Sequence, residues 1–229
     1  MKENIKKFID KIKYIRKADL LTKSVQNLQY DPDVVIDKVE FSGEFRLSQN
    51  RTEIKKIMEL VKSYEVLTIC EIGTYKGGSL FCLTQAAASN ATIISIDIDY
   101  PFERRMAFRK FAKNNQRIIT TKGDTRDPNT YEKTRRILKG RKIDFLFIDG
   151  DHSFNGVVND YVRYAPLVKK GGIIAFHDIH PVSAQMENSK AYVGDVPIFW
   201  DTLKRVGFLI EEVIEDPKQQ GKGLGILYL

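Results

Sequence analysis

The 229-residue chain holds three histidines, and all three fall in two short polar segments. Asp149-Gly150-Asp151-His152 follows the apolar run 143–148, and His177-Asp178-Ile179-His180 follows the run 172–176. Carboxylates and imidazoles move protons near neutral pH and hold divalent ions. One such segment is ordinary; two, each at the end of an apolar β-type run, point to a shared reactive cluster. A third segment, Glu71-Ile72-Gly73-Thr74-Tyr75-Lys76-Gly77-Gly78-Ser79, follows the short apolar run 67–70. Gly73 permits a tight turn, and Gly77 and Gly78 let a ligand approach the backbone at a helix N-terminus. The spacing is neither GxGxxG nor a P-loop, which disfavours a pyrophosphate.

Asp97 lies 19 positions beyond Gly78, at the end of the apolar run 91–96. An acid at that distance past a glycine turn is placed to accept hydrogen bonds from ribose hydroxyls. Gly123-Asp124-Thr125-Arg126-Asp127 follows the run 117–120 and offers polar groups to frame an adenine. Asp127 also precedes Pro128 as a helix N-cap.

These residues need elements that bring them together. Short β-branched runs alternate with helical patterns of 10–15 residues from position 67 to 176, which predicts βαβ units and a parallel sheet covered on both faces. After a helix over 197–205, the runs 208–214 and 224–229 are joined by a glycine-punctuated loop and should be antiparallel. Helix 52–63 precedes the first strand. Residues 1–50 read as an N-terminal extension to a catalytic domain over 51–229, with a basic helix followed by an irregular stretch through Tyr30-Asp31-Pro32 and Phe41-Ser42-Gly43. In open sheets of this kind, ligands bind beyond the carboxyl ends of the strands, where every polar segment above falls.

Composition excludes several classes. The chain has 42% hydrophobic and 29% charged residues, as a globular protein with a real core does. No apolar run approaches the roughly 20 residues of a membrane span, and no signal-peptide pattern opens the sequence. Cys70 and Cys82 sit in core-like runs without CxxC spacing, so a reducing, cytoplasmic setting is expected. Much of the +7 net charge lies in Lys2, Lys6, Lys7, Lys11, Lys13, Arg16 and Lys17, interleaved with Ile5, Phe8, Ile9, Ile12 and Ile15 at helical spacing. That helix is expected to pack as a lid or an oligomer contact, with peripheral membrane contact as the alternative. No aromatic-rich basic patch suggests nucleic acid.

Taken together, the segments resemble the class I S-adenosylmethionine-dependent methyltransferases over about Glu53 to Leu229. The resemblance implies a Rossmann-like doubly wound α/β sheet, mostly parallel with an antiparallel C-terminal strand pair. It implies that Glu71, Gly73, Thr74, Tyr75, Gly77 and Ser79 hold the amino-acid part of S-adenosylmethionine. Asp97 then matches the ribose ligand, Asp124 and Thr125 the adenine side, and Asp149 borders the cofactor. Residues 148–153 and 171–178, with 194–200 and 223–227, are similar to a bacterial subgroup of macrocin- and novobiocin-pathway sugar O-methyltransferases and cephalosporin hydroxylase-like enzymes. Catechol O-methyltransferase-like relatives bind magnesium through an Asp after strand four and an acidic pair after strand five. Asp149 and Asp178 match, while His177 replaces an oxygen ligand and makes manganese an alternative. The expected reaction is O-methylation of a small molecule or sugar, with Asp149, Asp151 or His152 as the base. Competing readings are a non-heme iron oxygenase built from this cluster and a non-catalytic cofactor-binding scaffold, since one fold hosts many functions.

Overall fold

The computed structural model describes residues 2–113, 115–182 and 193–229. Seven strands form one sheet in the order β3-β2-β1-β4-β5-β7-β6. They are β1 (Thr68–Ile72), β2 (Thr92–Asp97), β3 (Arg117–Lys122), β4 (Ile143–Ile148), β5 (Val168–His177), β6 (Leu209–Val213) and β7 (Leu224–Tyr228). The first five are parallel, and β7 runs antiparallel between β5 and β6. This is a Rossmann-like doubly wound fold, mostly parallel with an antiparallel C-terminal pair, and its order reverses between β1 and β4, where such sheets open a ligand crevice.

Each strand divides its side chains between two cores by the two-residue period of the pleat. Ile69, Ile93, Phe145, Phe147, Ile173, Ala175 and Ile226 face one core; Cys70, Ile94, Leu146, Ile148, Ile174, Phe176 and Leu227 face the other. Burial on both faces explains why the strands read as apolar runs rather than alternating ones. The first face is covered by α1 (Lys2–Gln26), α2 (Pro32–Ser42), α3 (Arg51–Ser63), α4 (Gly78–Ala86) and α5 (Phe102–Phe108). The second is covered by α6 (Pro128–Leu138), α7 (Phe154–Tyr164) and α8 (Val196–Val206). No helix among the described residues is long and apolar enough to cross a membrane.

Residues before α3 are part of this core. Ala18, Leu21 and Val25 of α1 and Val35, Ile36 and Val39 of α2 join Ile54, Ile57 and Val61 of α3. The stretch expected to be irregular is a helix instead. Asp31 caps it by accepting from the Asp33 N–H, Pro32 opens it, and Gly43 closes it at φ +65°. The same Asp-Pro pair opens α6 at Asp127-Pro128.

Candidate active site

The glycine turn is fixed by contact with its neighbours. Gly73 has φ +83°, and a Cβ there would lie 1.9 Å from the Asp149 backbone oxygen. Its N–H donates to the Ile96 carbonyl (2.9 Å), and the Asp149 N–H donates to the Ile72 carbonyl (2.9 Å). The turns after β1, β2 and β4 are thus tied into one unit. Gly77 and Gly78 serve protein contacts: a Cβ would meet the Phe108 ring at 2.5 Å and the Arg46 carbonyl oxygen at 2.4 Å, respectively. Their small size admits a helix and a loop, where the sequence suggested a ligand.

Asp97 organises the mouth of this turn. One carboxylate oxygen accepts the N–H groups of Thr74 (3.0 Å) and Tyr75 (2.7 Å), and the other accepts that of Asp99 (2.8 Å). A carboxylate offers about four acceptor positions, so a fourth remains for a ligand hydroxyl. Glu71 is set deeper. It shares the β1 face of Ile69, is 0% exposed, and accepts from the hydroxyls of Thr74 (2.8 Å) and Ser79 (2.7 Å). Thr74 also meets the Ser95 hydroxyl, which lies 2.7 Å from that of Tyr100.

Burial pushes the Glu71 carboxyl up from 4.5 to about 8, against the two hydroxyl donors. A raised folded-state pKa of an acid lowers stability as pH rises from 4.5, and the loss levels off above about 8. Glu71→Gln should remove that loss, about 5 kcal/mol at full extent for a shift of this size. The stability difference between variant and wild type should therefore be small at pH 4.5 and grow towards pH 8. Urea unfolding across that range reads it out; parallel curves would show that Glu71 is ionised.

One cavity of about 770 Å³ runs along the strand ends. Gly73, Thr74, Tyr75, Ser79 and Asp97 line its first part, and Asp124 and Thr125 a second. Glu71 and Gly77 do not line it; Glu71 acts on it through the Thr74 and Ser79 hydroxyls. Asp124 is clamped by Arg126, with contacts of 3.0 and 2.8 Å, which hold its carboxyl below the usual range. Such a volume falls within the usual span of small-molecule sites.

The far end holds the acidic and histidine-bearing turns. The register pairs Ile148 with Phe176, so Asp149 and His177 emerge side by side. Ligand atoms of Asp149, His152 and Asp178 all lie within 4.8 Å of one another. His152 Nε2 is 3.5 Å from a carboxylate oxygen of each acid. Asp178 sits at φ +63°, a left-handed conformation that costs a non-glycine residue roughly 1–2 kcal/mol. Strain of this kind persists where surrounding contacts impose it, and it turns the carboxylate into the cluster.

His177 bridges the cluster and α3. As a residue of the Ile173–Ala175 face it points towards α3, where its Nε2 lies 3.2 Å from Glu53. Its Nδ1 lies 3.3 Å from Asp149 and 3.2 Å from Asp178, close enough for charge attraction without a well-aligned hydrogen bond. Burial disfavours the imidazolium, but the three carboxylates outweigh it and hold its pKa well above 6.5. Burial would likewise raise the Asp149 carboxyl, and His177 and His152 reverse that and hold it low. His152 Nε2 and His177 Nδ1 thus both approach the two carboxylates, and Asp149, His152 and Asp178 form the group whose ligand atoms lie within 4.8 Å of one another. Asp151 lines the same cavity, where it accepts from the Ser153 N–H (3.0 Å) and lies 3.3 Å from Arg126.

Residues 70–179, just under half of the chain, match the family model for a methyltransferase domain. An uncharacterised protein of Acanthamoeba polyphaga mimivirus is 33% identical over 49% of this chain and 51% of its own length. Tapetum-specific methyltransferase 1 of Arabidopsis thaliana is 32% identical over 51% of this chain and 48% of its own length. The chain thus spans about half the length of these curated relatives. A solved structure of the O-methyltransferase from Bacillus cereus in complex with SAH superposes with a TM-score of 0.61 at 15% identity, covering 92% of this chain and 96% of that one.

Two residues beside the cluster were not legible in the sequence, Gln49, which lines the cavity, and Glu53, which lies behind it against His177. Gln49 donates to Asp149 (2.7 Å), while its buried carbonyl oxygen has no partner among the described residues. Glu53, 0% exposed, accepts from the Asn50 N–H (2.8 Å), the Gly223 N–H (2.7 Å) and His177. The available signal was the Asn50–Glu53 capping box, which placed an acid on the apolar face of α3 beside Ile54 and Ile57.

Proposed function

We propose that this protein is an S-adenosylmethionine-dependent O-methyltransferase acting on a small hydroxylated molecule or a sugar. The supporting observation is that a single cavity joins the glycine turn and Asp97 to the Asp149, His152 and Asp178 cluster. The SAH complex of the Bacillus cereus neighbour and the Arabidopsis methyltransferase support the same reading.

S-adenosylmethionine, when bound, supplies a methyl carbon open to in-line displacement by an acceptor oxygen. Thr74 and Ser79, oriented by Glu71, and the Gly73 turn hold its amino-acid end. Asp97 receives a ribose hydroxyl at its remaining acceptor position, and Asp124 and Thr125 border the adenine. The acceptor hydroxyl would sit against Asp149 and His152, and either group would take its proton as the oxygen–methyl bond forms and the methyl–sulfur bond breaks, leaving S-adenosylhomocysteine. Gln49 and His177 fix the Asp149 carboxylate for that step.

Asp149, Asp178 and His152 would hold a divalent ion, whose contribution would be to lower the pKa of the acceptor hydroxyl. Two oxygens and one imidazole suit manganese better than magnesium, which prefers an all-oxygen shell. The iron-oxygenase alternative needs two histidines and one carboxylate, whereas the atoms gathered within 4.8 Å of one another come from two carboxylates and one histidine.

The test is release of S-adenosylhomocysteine with a panel of phenols and sugars, before and after chelation. Turnover that EDTA lowers at least about tenfold and Mn²⁺ restores fits the metal-assisted form. Turnover indifferent to EDTA removes the metal and leaves Asp149 or His152 as a simple base. Cofactor binding without turnover on any acceptor would instead favour a scaffold. In the same preparation, Asp97→Ala should weaken S-adenosylmethionine by about 1–3 kcal/mol, read by calorimetry. Unchanged affinity in a folded variant would remove Asp97 from the site.

A further inference from the structure

Helix α1 carries two apolar faces. Ala18, Leu21 and Val25, with Tyr14, lie on one side and pack into the domain. At about 100° per residue, Ile5, Phe8, Ile9 and Ile12 project from the opposite side. They are 52%, 64%, 43% and 50% exposed, and no described residue covers them. Exposure of four large apolar residues at i, i+3, i+4 and i+7 marks a surface built for contact.

The charge around the stripe says which contact. Residues 2–17 hold seven basic and two acidic residues, so +5 of the chain's +7 lies there. Arg16 projects from within the stripe and Lys6 and Lys13 from its border, all three exposed. Glu3 is engaged by Lys7 (2.8 Å), and Lys11 and Lys17 reach Glu103 and Glu44 on the body of the domain. Lys6 and Arg16 have no ion-pair partner among the described residues. With Lys11 and Lys17 offset by Glu103 and Glu44, the helix keeps 5 − 2 = +3, and a second copy meeting this face would set +3 against +3, which opposes self-association.

We propose that the outer face of α1 lies on an anionic lipid surface, with Ile5, Phe8, Ile9 and Ile12 at the headgroup–acyl boundary. The lysine stems run along the apolar stripe and place their ammonium groups among lipid phosphates. The inner face stays packed, so docking needs no unfolding of the domain.

Flotation of the full chain with vesicles tests this. Phosphatidylcholine vesicles containing about 30% phosphatidylserine should bind at least about tenfold more tightly than phosphatidylcholine alone, and added salt should erase the difference. Lys6→Gln and Lys13→Gln should each weaken binding about fivefold. Phe8→Ser with Ile12→Ser should abolish it while leaving circular dichroism and the cofactor affinity unchanged. Equal binding to both vesicle types, or none at millimolar lipid, would overturn the proposal. So would a dimer in sedimentation velocity that Phe8→Ser with Ile12→Ser dissolves, because the stripe would then be a subunit contact.

Discussion

Asp149→Asn is expected to lower methyl transfer about 10²–10⁴-fold, the range for losing a positioned proton acceptor, while sparing S-adenosylmethionine affinity. The separation follows from which atoms of Asp149 do what. Its backbone supports the cofactor turn, through the N–H on Ile72 and the oxygen facing Gly73, and Asn leaves that backbone in place. Its carboxylate serves the cluster, where it meets Gln49 at 2.7 Å, His177 at 3.3 Å and His152 at 3.5 Å. Asn still accepts from Gln49 but offers a charged oxygen neither to a proton nor to an ion. Single-turnover kinetics beside calorimetry would measure both quantities. Full activity in the variant would take Asp149 out of the chemistry; lost cofactor affinity would place it in the binding site instead.

Gly73→Ala carries the second large effect, this time on the fold. A Cβ there would stand 1.9 Å from the Asp149 oxygen and 2.5 Å from its carbonyl carbon, both backbone atoms of a residue whose N–H is held by the Ile72 carbonyl. Neither can rotate away, so β1 and β4 must separate at their carboxyl ends. Left-handed strain of roughly 1–2 kcal/mol adds to an overpacking term of about 1–3 kcal/mol. A total of about 2–5 kcal/mol is a large part of a domain's usual stability. Gly140 provides the control, since it has φ +81° with nothing within 4 Å of an added Cβ. Gly140→Ala should cost only the strain, about 1–2 kcal/mol. Equal losses in urea unfolding would show that the contact with Asp149 does not matter.

The strands and their order of use were legible because two-sided burial writes them as apolar runs separated by helical patterns. Helix α2 is written as plainly, since Asp31-Pro32 and Gly43 carry the kind of cap signals that mark α6 at Asp127-Pro128. The strand-end acids and histidines were readable for the same reason, since a polar segment interrupting an apolar run stands out. Which histidine faces which acid was not. His177 and Glu53 meet across 124 positions, and that pairing depends on which side of β5 the pleat turns. Gln49 was invisible because it lies outside any periodic segment, in the loop before α3. The glycines carry a further constraint that the sequence did not show: the space beside Gly77 and Gly78 is filled by Phe108 and Arg46.

Calorimetric titration of the wild-type chain with S-adenosylmethionine, and in parallel with NAD, tests the central claim most directly. The cavity at the β1–β4 switch predicts a one-to-one isotherm for S-adenosylmethionine, weakened by Asp97→Ala, and no comparable heat for NAD. Absent binding of S-adenosylmethionine, or tighter binding of NAD, would contradict the account.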